Sequence, residues 1–229
     1  MARKKQPNNA DKKKANILIV DDHPIVRQGL RELVNHENDL IVCGQAEDAN
    51  QAMKAVKELK PDIVIVDISL KETSGMELIK DLNVQYPKLP VLALSMHDES
   101  LYAERVLRAG AKGYIMKAEA TEKVIMAIRK ILSGEIYISD KMASKMMRKL
   151  VGSSSEINAS PVELLSDREL EVFQLIGKGF GTRQIAERLY LSIKTIETYR
   201  AHIKEKLNLA DSATLLRYAI QWINSRNDM

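Results

Sequence analysis

Five times between Asn16 and Leu132 a short apolar run is followed by an amphipathic stretch of helical period, and few folds accept that alternation. The runs are Ile17-Leu18-Ile19-Val20, Leu40 to Gln45, Asp62 to Asp67, Leu89 to Leu94 and Gly113 to Met116. The stretches that follow them are Pro24 to His36, Asp48 to Leu59, Gly75 to Gln85, Glu99 to Ala109 and Thr121 to Leu132. Continuous β-branched runs read as strands buried on both faces, and strands separated by helices pair in parallel. The expected fold is α/β, a doubly wound five-stranded parallel sheet with helices on both faces. Right-handed crossovers then put every carboxyl strand end on one rim.

The third run, Pro61-Asp62-Ile63-Val64-Ile65-Val66-Asp67, ends on a carboxylate, and Ser69 to Gly75 follows as a loop. Chemistry in an open parallel sheet sits at the carboxyl ends of the strands. Alone, Asp67 would read as a turn cap. The other strand ends change that: the first reaches Asp21-Asp22, the fourth Ser95 and the fifth Lys117. Three crowded carboxylates repel one another and call for a cation. Oxygen donors in a small cleft suit Mg²⁺. A lysine pairs with an incoming phosphoryl group, a serine hydroxyl donates to it, and Asp67 serves as the carboxylate nucleophile. Each residue also has a bland reading: Asp22 as a cap before Pro24, Ser95 as a strand end, Lys117 as a surface cation. Five such coincidences on one rim weigh against the bland set.

Composition narrows the class. A chain of 229 residues with 45% hydrophobic content buries one or two cores. It holds no apolar run long enough to span a bilayer, and its basic start lacks the apolar segment of a secretory signal. One cysteine, Cys43, excludes a disulfide framework and fits a reducing compartment, so a cytoplasmic location is expected. Cys43, in Leu40-Ile41-Val42-Cys43, reads as a small buried hydrophobe. Charge is uneven. Met1 to Lys14 carries six Lys/Arg and one Asp, a disordered basic tail that either attracts nucleic acid loosely or only solubilises. Ala15 to Glu135 carries 15 basic and 19 acidic residues.

The second half is helical by pattern. Ile136 to Leu150 reads as a helix with Met142, Met146 and Leu150 as a packing stripe, and Gly152 to Ser160 is a small, polar, flexible join. The expected division is a tail (1–14), a first domain (15–135), a linker (136–160) and a second domain (161–229). In the last, Ser166 and Glu169 form a capping box for a helix running to about Gly177. Gly179-Phe180-Gly181 turns the chain, and Thr182 caps a short helix through Leu189. Tyr190-Leu191-Ser192 turns it again into a long helix from Ile193 to Leu207; a last helix spans Ser212 to Ile223. Two helices about a tight turn are either a helix-turn-helix or part of a generic bundle. At about 100° per residue, Ile196, Ile203 and Leu207 face a core; Lys194, Thr198, Ala201 and Glu205 lie opposite, with Glu197 close by. Thr195, Arg200, His202, Lys204 and Lys206 flank that face and suit phosphates.

Two resemblances sharpen this. Asp21-Asp22, Pro61 to Asp67, Leu94-Ser95-Met96 and Gly110-Ala111-Lys112-Gly113-Tyr114-Ile115-Met116-Lys117 make Asn16 to about Leu132 resemble the receiver domain of bacterial two-component response regulators. Leu165-Ser166-Asp167-Arg168-Glu169-Leu170-Glu171-Val172, Gln184-Ile185-Ala186-Glu187-Arg188-Leu189 and Ser192 through Leu207 make Leu164 to about Ile223 similar to the LuxR-type DNA-binding domain. Joined, they resemble the NarL/FixJ group. The resemblance implies phosphorylation of Asp67 by a sensor histidine kinase. It implies Mg²⁺ held by Asp22, Asp67 and the Ser69 carbonyl, with Asp21 assisting through water. It makes Lys117 the phosphoryl holder and Ser95 with Tyr114 the switch pair, and it leaves the phosphoryl lifetime to variable neighbours such as Ser69 and His97. Base reading falls to Glu197, Thr198 and Ala201. The implied partners are promoter DNA, RNA polymerase and a second copy of the chain, joined through the last helix when phosphorylated or on DNA. Along that helix Leu216 and Ile220 are assigned to the core and Trp222 to the dimer. Two departures stand out: Tyr199 where histidine is common, and Gly177 where alanine is usual, at a small cost in helix propensity.

Two other classes share parts of this pattern. A dehalogenase-type phosphatase also uses a strand-end aspartate nucleophile, but it wants a second aspartate two residues later, where this chain has Ser69. An adaptor that binds partners without DNA would show no gel shift on any promoter.

Overall fold

The computed structural model describes residues 14–70, 74–150 and 161–227. The basic tail through residue 13 and the join at 152–160 lie outside the described residues. Five strands, β1 (Ala15–Val20), β2 (Leu40–Ala46), β3 (Ile63–Asp67), β4 (Val91–Ser95) and β5 (Gly113–Met116), form one parallel sheet in the order β2-β1-β3-β4-β5. Between them run α1 (Pro24–Asn35), α2 (Ala49–Leu59), α3 (Gly75–Gln85) and α4 (Glu99–Arg108), and α5 (Ala120–Leu132) follows β5. The expected elements are all present, with ends moved by one or two residues.

Strand residues alternate between faces. Ile17, Ile19, Ile63, Ile65, Leu92, Leu94 and Ile115 share a core with Leu30 and Val34 of α1 and Val124 and Ile128 of α5. The residues between them, among them Leu18, Val20, Val64, Val66 and Tyr114, are also fully buried, on the side of α2, α3 and α4. The β-branched runs thus serve both faces at once. Cys43 is only half-buried, its Sγ 3.4 Å from the Ile17 carbonyl oxygen.

Pro24 opens α1 at a position where its missing N–H costs nothing, and Asp48 caps α2 by accepting from the Gln51 N–H at 2.8 Å. Helix α3 starts on a glycine for a steric reason. A Cβ at Gly75 would lie 1.9 Å from the carbonyl oxygen of Asp67, so the loop after β3 returns directly onto the strand end.

Past α5 the chain turns back along the sheet. Tyr137 forms a parallel bridge with Gly113 of β5, and α6 (Asp140–Leu150) follows. The expected helix from Ile136 therefore starts four residues late, because Ile136 to Ser139 is taken up beside β5 and in the cap of α6. Met142 is buried, whereas Met147 is exposed. The described residues divide into two compact units between Met146 and Met147.

The second unit is built from α7 (Asp167–Gly177), α8 (Thr182–Leu189), α9 (Ile193–Lys206) and α10 (Ser212–Asn227). The capping box closes as expected, with Ser166 N–H donating to Glu169 Oε2 at 2.7 Å. Gly181, not Thr182, is the cap of α8, and Gln184 Oε1 accepts from its N–H at 2.9 Å. Tyr190 takes the left-handed conformation that the tight turn needs, and Ser192 caps α9. Leu170, Phe173, Ile176, Ile185, Ile196, Ile203, Leu215 and Ala219 form the core.

Two readings of this unit are corrected. Leu215 and Ala219 of α10 are fully buried, while Leu216 and Ile220 are 39% and 38% exposed. Trp222 is half-buried and meets Phe173 edge-on at 5.4 Å, so one side of its ring packs on this unit's own core. The inward stripe is 215, 219 and 222, one residue out of phase with the expected one, because apolar residues cover more than one side of α10. Gly177 is also no weakness. A Cβ there would stand 2.5 Å from the Ala219 carbonyl oxygen, so glycine lets α7 and α10 touch backbone to backbone. Gly177→Ala is expected to lower stability by about 1–3 kcal/mol despite its better helix propensity. Urea unfolding followed by the fluorescence of Trp222, the sole tryptophan, reads this; an unchanged or raised midpoint would contradict the close-approach argument.

Candidate functional site

Strand register assembles the rim. Val20 stands opposite Val66 and Leu94 opposite Asp67, with Ser95 opposite Met116. One residue further along each strand come Asp21, Ser95 and Lys117, so all flank Asp67. Lys117 Nζ lies 2.7 Å from both Asp67 Oδ2 and Asp21 Oδ2. The other Asp67 oxygen accepts from the Ser69 N–H at 3.0 Å. The side chains of Asp21, Asp22 and Asp67 are almost wholly buried. His23 adds a nitrogen to the group: its Nδ1 is 2.7 Å from Asp22 Oδ1 and 3.2 Å from Asp21 Oδ1. Arg27 donates to the Asp21 backbone carbonyl from one turn into α1. Neither His23 nor Arg27 was singled out from the sequence; the only signal was that His23 directly follows the two aspartates.

Burial pushes the Asp67 carboxyl above its ordinary value, Lys117 pulls it down, and the Asp21 charge pushes it up again; the net direction is up. Burial alone would lower Lys117, but the Asp67 and Asp21 carboxylates outweigh it, so Lys117 holds its proton more tightly than a free lysine. Three buried carboxylates around one ammonium leave net negative charge. Ligand atoms of Asp21, Asp22, His23 and Asp67 lie within 4.8 Å of one another, a spacing that fits a single cation. Mostly oxygen donors, all from short side chains, fit Mg²⁺.

Ser95 and Tyr114 both meet the backbone of His97 next to this group. Ser95 is fully buried, and its Oγ accepts from the His97 N–H at 3.0 Å. Tyr114 lies inward and donates from Oη to the His97 carbonyl at 2.7 Å. Burial raises its pKa, which keeps the phenol protonated as a donor. The His97 ring stacks on Tyr102 with centroids 4.5 Å apart and reaches Ser69 Oγ at 3.1 Å.

In the second unit α9 shows the expected faces. Ile196 and Ile203 are buried; Lys194, Glu197, Thr198, Ala201 and Glu205 are exposed, and Leu207 is only half-buried. Thr195 is engaged in the Ser192 cap, its N–H 3.0 Å from Ser192 Oγ. Arg200 and Lys204 are half-buried beside the exposed face. Two flanking residues also meet a carboxylate within their own unit. Lys206 Nζ is ion-paired with Glu169 Oε2 at 2.7 Å, and His202 Nδ1 stands 3.7 Å from Glu169 Oε1. Both lie on the side of α9 that crosses the start of α7, and the Glu169 carboxylate collects them.

An aspartate–lysine–serine set on a parallel-sheet rim, in one chain with a helix-turn-helix unit, defines a signal-receiving, DNA-binding regulator. Comparison with known proteins agrees. The family described as the response regulator receiver domain matches residues 17–129, and that of the bacterial regulatory proteins of the luxR family matches residues 163–219. The oxygen regulatory protein NreC of Staphylococcus aureus is 38% identical over 209 residues, 90% of this chain and 96% of that one. Among solved structures, the RcsB response regulator of Salmonella typhimurium aligns over 91% of this chain and 98% of its own with a TM-score of 0.64 and 27% identity. RcsB from Salmonella enterica serovar Typhimurium bound to promoter P1flhDC with the phosphomimetic BeF₃⁻ aligns over 90% and 98% with a TM-score of 0.61 and 28% identity. This chain belongs to the two-component response regulators that join a receiver domain to a LuxR-type DNA-binding domain, a family of transcription regulators rather than enzymes. No helix among the described residues is long and apolar enough to cross a membrane.

Proposed function

We propose that a sensor histidine kinase phosphorylates Asp67 and that the phosphorylated chain binds promoter DNA as a dimer. The observation that carries the first part is Lys117 shared at 2.7 Å between Asp67 and Asp21 on the rim. An Asp67 carboxylate oxygen forms the new bond to phosphorus as the donor's phosphorus–nitrogen bond breaks, and the departing imidazole takes up a proton. Lys117 pairs with a phosphoryl oxygen, and Ser95 donates to another. Asp22, Asp67 and the Ser69 carbonyl would hold Mg²⁺, with Asp21 assisting. When bound, the ion offsets carboxylate charge and neutralises charge on the phosphoryl oxygens. The site would work in the cytoplasm, in keeping with a single cysteine. The receiver part extends past residue 135, since Tyr137 to Met146 packs with it, and the join to the DNA-binding part falls beyond Met146.

On DNA, α9 enters the major groove amino end first, with Lys194, Glu197, Thr198 and Ala201 toward base edges. Thr195, Arg200, His202 and Lys204 lie toward phosphates. The dimer contact on α10 is assigned to Leu216 and Ile220, which sit one turn apart and are exposed, in place of Trp222. Glu197 is the discriminating residue. As a base reader it accepts from cytosine N4, and Glu197→Ala should relax preference at one operator position by roughly 1–3 kcal/mol. As a mere repeller of phosphates, its removal would tighten binding to every sequence alike. Binding to a randomised operator library, with and without beryllofluoride, separates the two. Absence of any beryllofluoride response, or sedimentation of a monomer on a full operator, would sink the wider reading.

A further inference from the structure

We propose that Glu99, Tyr137 and Ser139 tie the phosphoryl rim to helix α6, so that phosphorylation is read first as release of α6 from α4. The proposal rests on the switch role of Ser95 and Tyr114 stated above.

Strand β5 is the last in the sheet order, and beside it the chain leading to α6 takes the place of a further strand. The Tyr137 carbonyl accepts from the Tyr114 N–H at 2.9 Å, and the Tyr137 N–H donates to the Lys112 carbonyl at 2.9 Å. The residue whose ring is half of the switch is therefore held, through its own backbone, by the segment that starts α6. A second tie comes from Glu99, the first residue of α4. One oxygen of its carboxylate accepts from the Ser139 N–H at 2.8 Å, and the other accepts from the Ser139 hydroxyl. Ser139 in turn caps α6: its Oγ accepts from the Met142 N–H at 3.1 Å and its carbonyl from the Ala143 N–H at 2.9 Å. One carboxylate thus sits at the amino ends of two helices, where both dipoles favour negative charge. Lys145 adds a third tie, its ammonium 3.3 Å from the Ser100 carbonyl.

The Glu99 and Lys145 ties meet the first turn of α4, and the loop that leads into it from β4 is anchored at the rim through His97. Its N–H is bound by Ser95 Oγ and its carbonyl by Tyr114 Oη. A Ser95 hydroxyl that turns toward a phosphoryl group on Asp67 leaves the His97 N–H. The loop then loses a backbone anchor just ahead of Glu99, and the cap of α6 moves with Glu99. Because α6 runs on into the chain that joins the two units, its first turn is where the rim's state reaches the tether.

Hydrogen–deuterium exchange of the full chain tests this, with Mg²⁺ and with or without beryllofluoride. Beryllofluoride should speed exchange in 137–148 by about tenfold, together with a change in 95–103. Glu99→Ala should show the fast 137–148 pattern without beryllofluoride, while 101–108 keeps its protection and beryllofluoride still slows exchange around Asp67. Ser139→Ala, which keeps its backbone N–H for Glu99, should give a smaller rise. If beryllofluoride changes 95–103 but leaves 137–148 as it was, the switch pair stands and this coupling is overturned. Unchanged 137–148 in Glu99→Ala overturns it as well. If beryllofluoride binds and neither region responds, both readings fall.

Discussion

Asp67→Asn should take up no phosphoryl group from acetyl phosphate in the presence of Mg²⁺, and the wild-type chain should lose uptake when the metal is chelated. Labelled acetyl phosphate followed by gel separation reads both. The amide cannot act as the nucleophile, and neither neighbour replaces it: Asp21 shares Lys117 but follows a different strand, and Ser95 Oγ accepts from the His97 N–H. The same substitution has a second expected effect, on stability. The Asp67 carboxyl is raised from the ordinary 3.8, through burial first and the Asp21 charge after that. For a raised acid, stability is fullest below the unfolded value and falls as pH climbs through the folded one. Near neutral pH without divalent metal, Asp67→Asn should therefore melt higher than wild type, and the gain should vanish below about pH 3.8. Mg²⁺ should raise the wild-type melting temperature more than that of the variant. Label retained in Asp67→Asn, or a variant that melts lower at every pH, would overturn the assignment of Asp67.

Glu169 carries the other large effect. Glu169→Ala should lower the stability of the second unit by about 2–3 kcal/mol, since it removes half a capping box and leaves Lys206 without its carboxylate. The Lys206 side chain is 40% exposed, which holds the ion-pair part of that loss down. Burial would raise the Glu169 carboxyl, but the hydrogen bonds from Lys206 and the Ser166 N–H prevail and bring it below the ordinary 4.5. For a depressed acid the stabilisation is present above the unfolded value and is lost as pH falls through the folded one. Wild type should thus weaken in acid below about pH 4.5, and Glu169→Gln should flatten that limb. Lys206→Ala distinguishes a brace from a phosphate contact. As a brace, it lowers the urea midpoint and leaves the salt slope of operator binding unchanged; as a phosphate contact, it reduces the slope by about one unit. The 2.7 Å pair with Glu169 predicts the first result.

The two halves of the chain were unequally legible. Asp67, Ser95 and Lys117 could be placed because a parallel sheet sends every strand end to one rim, and a run such as Ile63 to Val66 marks its own end. The α9 faces followed from helical phase alone, with Ile196 and Ile203 inward. What sequence did not reveal depends on how helices cross. Gly177 looked like a loss of propensity until the Ala219 carbonyl was seen to occupy the place of its Cβ. Lys206 looked like any flanking cation; only the crossing of α7 and α9 brings Glu169 to it. On α10 an apolar surface wider than one stripe left the phase ambiguous by one residue, and Leu215, not Leu216, faces in. The Glu99–Ser139 tie spans forty positions and carries no local signal at all.

The bridge between Tyr137 and β5 also bears on where this chain can be cut. The five repeats end at Leu132, yet a fragment stopped there would bare the Lys112 carbonyl and the Tyr114 N–H along a short open sheet margin. Such a margin is a template on which a foreign strand, or the same strand of another molecule, can align. Tyr137, at the start of the expected linker, thus also keeps the sheet from growing beyond its own chain.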